Sequence, residues 1–139
     1  MVYPSGTGVT PVDCMPENVK TVFLEAQSIG GISPRASAAM LRVALERLVN
    51  DVGGKGSNLA GKIASLHLSP RLQKLCDICR AAGNEAVHHE SFDFSASNEE
   101  ARAMVEALSE FINRLADEFC GLEKAADELQ RKINAARTK

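Results

Sequence analysis

Arg80, Asn84 and His88 stand four residues apart. On a continuous helix their side chains form one slanted polar row, each step rising about 6 Å and turning about 40°. A guanidinium matches phosphate oxygens two at a time and an imidazole titrates near neutral pH, so such a row could bind a phosphate and move a proton beside it. The competing role is structural, with Arg80 and His88 pinning helices together by bonding a buried carboxylate such as Glu46 or Glu25. Spacing alone favours that structural role. Arg42 and Glu46 make a second polar pair, at i and i+4 on the far side of an apolar helical arc. They are either a solvated contact of small energy or the wall of an internal site in which Glu46 orients His88.

The cysteines and glycines offer weaker chemistry. Cys76-Asp77-Ile78-Cys79 with His88-His89 nearby invites a zinc reading, but the pair sits mid-helix and no second CxxC follows it. Zinc sites draw their pairs from separate turns. Buried thiols on the Leu72 and Leu75 face fit better, and no metal or cofactor is expected. Gly53-Gly54-Lys55-Gly56-Ser57 lacks the full GxxxxGK[ST] spacing and follows a helix rather than a strand, so it reads as a flexible hinge. His67 suits a helix C-terminus and His89 the surface.

The elements that must carry these residues are helical. Pro4, Gly6, Gly8 and Pro11 make residues 1–15 an extended arm. Val19, Val22, Phe23, Ala26 and Ile29 then recur at helical spacing up to Gly30-Gly31. Ser33-Pro34 and Ser69-Pro70 each join a capping hydroxyl to a proline at the first helical position. The first opens a central helix to about Val52, with Leu41, Leu45, Leu48 and Val49 inside; the second opens the Leu72, Leu75, Cys76, Cys79 stripe. Asn58 can cap a short helix carrying Leu59, Ile63 and Leu66, and Ser97 to Glu100 is a capping box. Ala101, Met104, Leu108, Phe111 and Leu115 form a seam that resumes at Phe119 one residue out of phase, predicting a bend or break beside Gly121. The chain is therefore expected to be all-α, a compact bundle of about five helices with an extended N-terminal arm (1–15), a helical domain (16–120) and an amphipathic C-terminal tail helix (121–139).

Composition narrows the class of function. Sixteen Lys and Arg against eighteen Asp and Glu give a net charge of -2 over 139 residues. No global positive charge exists to hold a phosphate backbone, so any nucleic-acid contact must be a local patch. No apolar run exceeds four residues, against the roughly 20 needed to cross a bilayer, and the N-terminus lacks a secretory pattern. A soluble, cytoplasmic protein without membrane contact is expected, its four cysteines reduced by default.

Met15 to Val19, Glu25-Ala26, Ser33-Pro34-Arg35-Ala36, Leu41-Arg42, Leu45-Glu46, Ile63, Arg80, Gly83-Asn84 and His88 together resemble a bacterial domain of unknown function. That domain is found behind zinc ribbons or attached to type I restriction R subunits and is grouped with the HEPN superfamily. The resemblance covers about residues 15–120. It implies a four- or five-helix unit, a homodimer, and, in many members, a metal-independent RNase built on an Arg-polar-x-x-x-His motif. Carried over, Asn84 is the polar position and His88 the histidine. Gly83 stands where the motif has arginine, leaving Arg80, one turn earlier, as the cation that could replace it. The expected function is an interaction or nucleic-acid-sensing module in bacterial or phage defence, with RNA or a protein as partner. The alternatives are an RNase in which the RNA 2′-hydroxyl attacks its own phosphate, with His88 as acid or base and Arg80 on the phosphoryl oxygens, and a structural dimerisation module.

Overall fold

The computed structural model describes residues 8–83 and 98–138. Five helices account for the regular structure of these residues: α1 (Glu17–Ile29), α2 (Pro34–Asp51), α3 (Leu59–Ala64), α4 (Pro70–Gly83) and α5 (Asn98–Arg137). The all-α bundle read from the sequence is what forms. Its start signals act locally as expected. Ser33 Oγ accepts from Ala36 N at 3.2 Å, Asn58 Oδ1 from Gly61 N at 2.8 Å and Ser69 Oγ from Leu72 N at 3.3 Å, each satisfying a backbone donor that the first turn leaves open. Ser97 lies outside the described residues.

The apolar stripes meet in one core. Val19 and Phe23 of α1, Leu41, Leu45 and Leu48 of α2, Cys76 and Cys79 of α4, and Leu108, Phe111, Ile112 and Leu115 of α5 are buried together. α1 packs on α2, α5 packs on both α2 and α4, and α2 and α4 have no extensive contact with one another. Two buried serines stitch the layers. Ser37 Oγ donates to the Ala26 carbonyl at 2.7 Å, and Gln27 Nε2 donates to Ser109 Oγ, also at 2.7 Å.

Two expectations are corrected. α5 is one helix of 40 residues, without a break at Gly121. The reason is a second seam: Val105, Leu108, Ile112, Leu115, Phe119 and Leu122 alternate by three and four without a slip. The apparent phase change is an artefact of following the broader, core-facing arc instead. A single glycine costs a helix about 1 kcal/mol relative to alanine, too little to break one that a continuous seam supports.

The second correction concerns Cys14 and Cys120, which are joined by a disulfide rather than reduced, with Cα atoms 6.0 Å apart and a separation of 106 in sequence. The arm makes this pairing. Val12 N donates to Asn113 Oδ1 at 2.8 Å and Asn113 Nδ2 donates back to the Thr10 carbonyl at 3.0 Å, laying residues 10–14 along α5. Cys76 and Cys79 remain free and buried, as their stripe predicted.

At Gly53 to Ser57, read as a flexible hinge, the backbone of Gly56 runs close to α3 while Gly53, Lys55, Gly56 and Ser57 stay exposed. A Cβ on Gly56 would stand 2.9 Å from backbone atoms of Gly61 and Lys62, and Gly53 has φ +98°. These glycines let the chain turn against the start of α3.

Candidate functional site

Of the polar row, Arg80 lies within the described residues, and Asn84 and His88 lie outside them. Arg80 is half-buried in the last turn of α4, one turn beyond Cys76. Burial pushes the Cys76 thiol up to about 11; the Arg80 charge pulls it down and Asp77 pushes it further up. Burial likewise raises Cys79 to about 12, with Cys76 adding to the shift. Both thiols are therefore protonated and unreactive at neutral pH, which suits core packing and not nucleophilic or redox chemistry.

Arg42 and Glu46 lie on the flank of α2, with Nε and Oε1 3.9 Å apart and side chains 37% and 45% exposed. At that exposure the pair adds little stability, and Arg42 Nε itself is buried beside the helix. α2 and α4 each pack on α5 without extensive contact with one another, so the Arg42–Glu46 pair and Arg80 stand on separate helices. Among the described residues no group of three His, Cys, Asp or Glu side chains is placed to hold a metal ion.

Among the concavities that border α5, two lie against the bundle. A groove of about 490 Å³ between α4 and α5 is lined by Arg71, Lys74, Ile78, Glu110, Arg114 and Glu118, among others. Its cations are interleaved with acids: Arg114 Nε meets Glu110 Oε2 at 3.0 Å, and Glu118 accepts from Ser69 Oγ at 3.4 Å. Such a lining offers no continuous basic track for a phosphate backbone. A second cavity, of about 330 Å³, lies between the arm, the end of α1 and α5, beside Gln27, Arg102 and Ser109.

The most distinctive surface is on α5 itself. From Leu122 to Thr138 every residue is exposed, and Leu122, Leu129 and Ile133 keep 72%, 59% and 46% of their surface in water. These side chains share the amphipathic seam that the sequence assigned to the tail. Sequence reasoning missed that the seam is continuous with the core and that the arm is bonded beside its root. A full heptad count from Val105 onward would have shown the first.

Residues 24–136 match the model of a domain of unknown function (DUF4145), and the chain belongs to that family. The match runs through α5 to residue 136, past the point near residue 120 where the resemblance was expected to end. No curated protein and no solved structure matches the chain.

Proposed function

We propose that this chain is a HEPN-like helical interaction and nucleic-acid-sensing module, acting as a homodimer in the cytoplasm in bacterial or phage defence. The observation that carries the reading is the run of α5 beyond the bundle, whose apolar side chains stand in solvent where a monomer has no use for them. Gly83 at the motif's arginine position and the mixed charge of the α4–α5 groove weigh toward binding over catalysis. In this reading Arg80 on α4 and Arg42 on α2 each supply a separate contact to phosphate. In a reducing cytoplasm the Cys14–Cys120 bond is the feature most exposed to change.

Fluorescence anisotropy with a mixed RNA pool across a salt series tests the nucleic-acid half. Binding should weaken with salt, and Arg80→Ala or Arg42→Ala should each reduce the slope by about 0.7–0.9 for every phosphate contact removed. Salt-independent binding, or none, rejects it. The spacing of Arg80, Asn84 and His88 supports a second reading, metal-independent RNA cleavage leaving a 2′,3′-cyclic phosphate and a 5′-hydroxyl. His88→Ala would then slow cleavage about 10²–10⁴-fold without loss of fold. If His88 is structural, the same change lowers stability by about 1–3 kcal/mol and there is no cleavage to lose.

A further inference from the structure

We infer that the exposed half of α5 is the docking surface for a second copy of this chain, the two helices pairing antiparallel over residues 119–136. This rests on, and specifies, the homodimer in the proposed function. The seam steps by three and four without interruption, Phe119, Leu122, Ala126, Leu129, Ile133 and Ala136, the repeat that winds two helices together. It covers about 27 Å of helix. The flanking charges choose the orientation. Glu118 and Glu123 flank the start of the seam, and Lys132 and Arg137 flank its end.

In a parallel pair, Glu118 of one copy faces the partner's Glu123, and Lys132 faces the partner's Arg137, so like charges oppose at both ends. Reversing one helix sets Glu118 against the partner's Lys132 and Glu123 against the partner's Arg137, twice over by symmetry. The core layers agree. Antiparallel packing seats Phe119 on the partner's Ala136 and Leu129 on the partner's Ala126, filling each small residue with a large one. Parallel packing would leave Ala126 facing its own copy.

The arm leaves this face open. Val12, Cys14 and the disulfide engage the helix through Asn113, Ala116 and Cys120, and the arm's groove continues over Asp117, Gly121 and Lys124. At about 100° per residue, Asp117, Gly121 and Lys124 lie on the side opposite the Leu122 and Leu129 seam. The arrangement places one bundle at each end of a short rod.

Sedimentation velocity of the full chain, raised in concentration to about 1 mM at low salt, should show monomer giving way to dimer. Leu129→Glu should hold the chain monomeric with helicity and melting unchanged. The Lys132→Glu/Arg137→Glu and Glu118→Lys/Glu123→Lys chains should each be monomeric alone and pair when mixed. Orientation is read with Ala136→Cys under mild oxidation: the two cysteines lie about 26 Å apart in the antiparallel pair, far beyond disulfide reach. A monomer throughout, a dimer indifferent to Leu129→Glu, or ready cross-linking of Ala136→Cys to itself overturns the inference. RNA binding is scored separately, so loss of either result leaves the other readable.

Discussion

Removing the Cys14–Cys120 bond should destabilise the fold far more than removing any single surface contact of the arm. The bond closes a loop of 106 residues. In the chain-entropy model a loop of that size withholds about 4.7 kcal/mol of disorder from the unfolded state, and measured values for native bridges run at about 2–5 kcal/mol. For a chain this long each kcal/mol moves the melting temperature by roughly 4 °C. Cys14→Ser/Cys120→Ser, or reduction of the wild type, should therefore lower the midpoint by about 8–20 °C.

The assay is thermal unfolding followed by circular dichroism, with thiols counted in denaturant without reductant. Wild type should expose two thiols and the reduced chain four. Noncovalent contacts keep the arm near its place after reduction, since Met15 is buried and Val12 and Thr10 still meet Asn113. The helical signal below the transition should therefore persist. A shift of under about 2 °C together with four free thiols in freshly purified protein would refute both the bond and the reasoning.

The remaining expectations concern the core and the helix. Cys76 and Cys79, raised to about 11 and 12, should react slowly with thiol reagents in the native state at pH 8, and fast labelling would show an open core. The same shifts make the folded state hold protons that the unfolded state releases. Stability is thus intact below about pH 9 and falls as pH rises through 11 to 12, by at most about 1.4 kcal/mol per pH unit for each thiol; flat denaturant midpoints across that window would contradict the burial. Gly121→Ala should stabilise α5 by up to about 1 kcal/mol, since its Cβ meets nothing closer than Asp117 Oδ1 at 3.7 Å, and a loss of stability would mean that the helix bends there. Gly56→Ala should cost about 1–3 kcal/mol against the backbone of Gly61 and Lys62, whereas Gly31→Ala, with open space around it, should be neutral; equal effects would contradict the close approach of Gly56 to α3.

What could be read from the chain was what is local. Ser33-Pro34, Asn58 and Ser69-Pro70 act within one turn of themselves, and the Val19, Leu41 and Leu72 stripes need only the helical period, so those helices follow from sequence. The Cys14–Cys120 pairing was not legible, because an arm without periodicity gives no sign of which helix it will lie against. Gly53 to Ser57 announced a turn by composition, while its tightness depends on the backbone of α3 arriving behind it. The polar residues suffered in the same way. Helical spacing places Arg42 with Glu46 and Arg80 with Cys76, but only the packing order says that α5 receives both helices.

That packing order gives α5 two duties along one seam. Up to Leu115 its apolar side chains are enclosed by α2 and α4, and beyond Phe119 the same repeat runs on with nothing of this bundle over it. Burying a leucine or isoleucine side chain is worth about 1.5–3 kcal/mol relative to leaving it in water, so Leu122, Leu129 and Ile133 hold unspent driving force. The change of duty falls where Cys120 ties the arm to the helix. A covalent brace at the base of a projecting helix resists fraying of the last enclosed turn, and it does so from the face that the seam does not use. Reduction should consequently loosen the root of the rod before it disturbs the bundle. Hydrogen exchange would show this as faster exchange at residues 116–124, with the amides of Leu41 to Leu48 still protected.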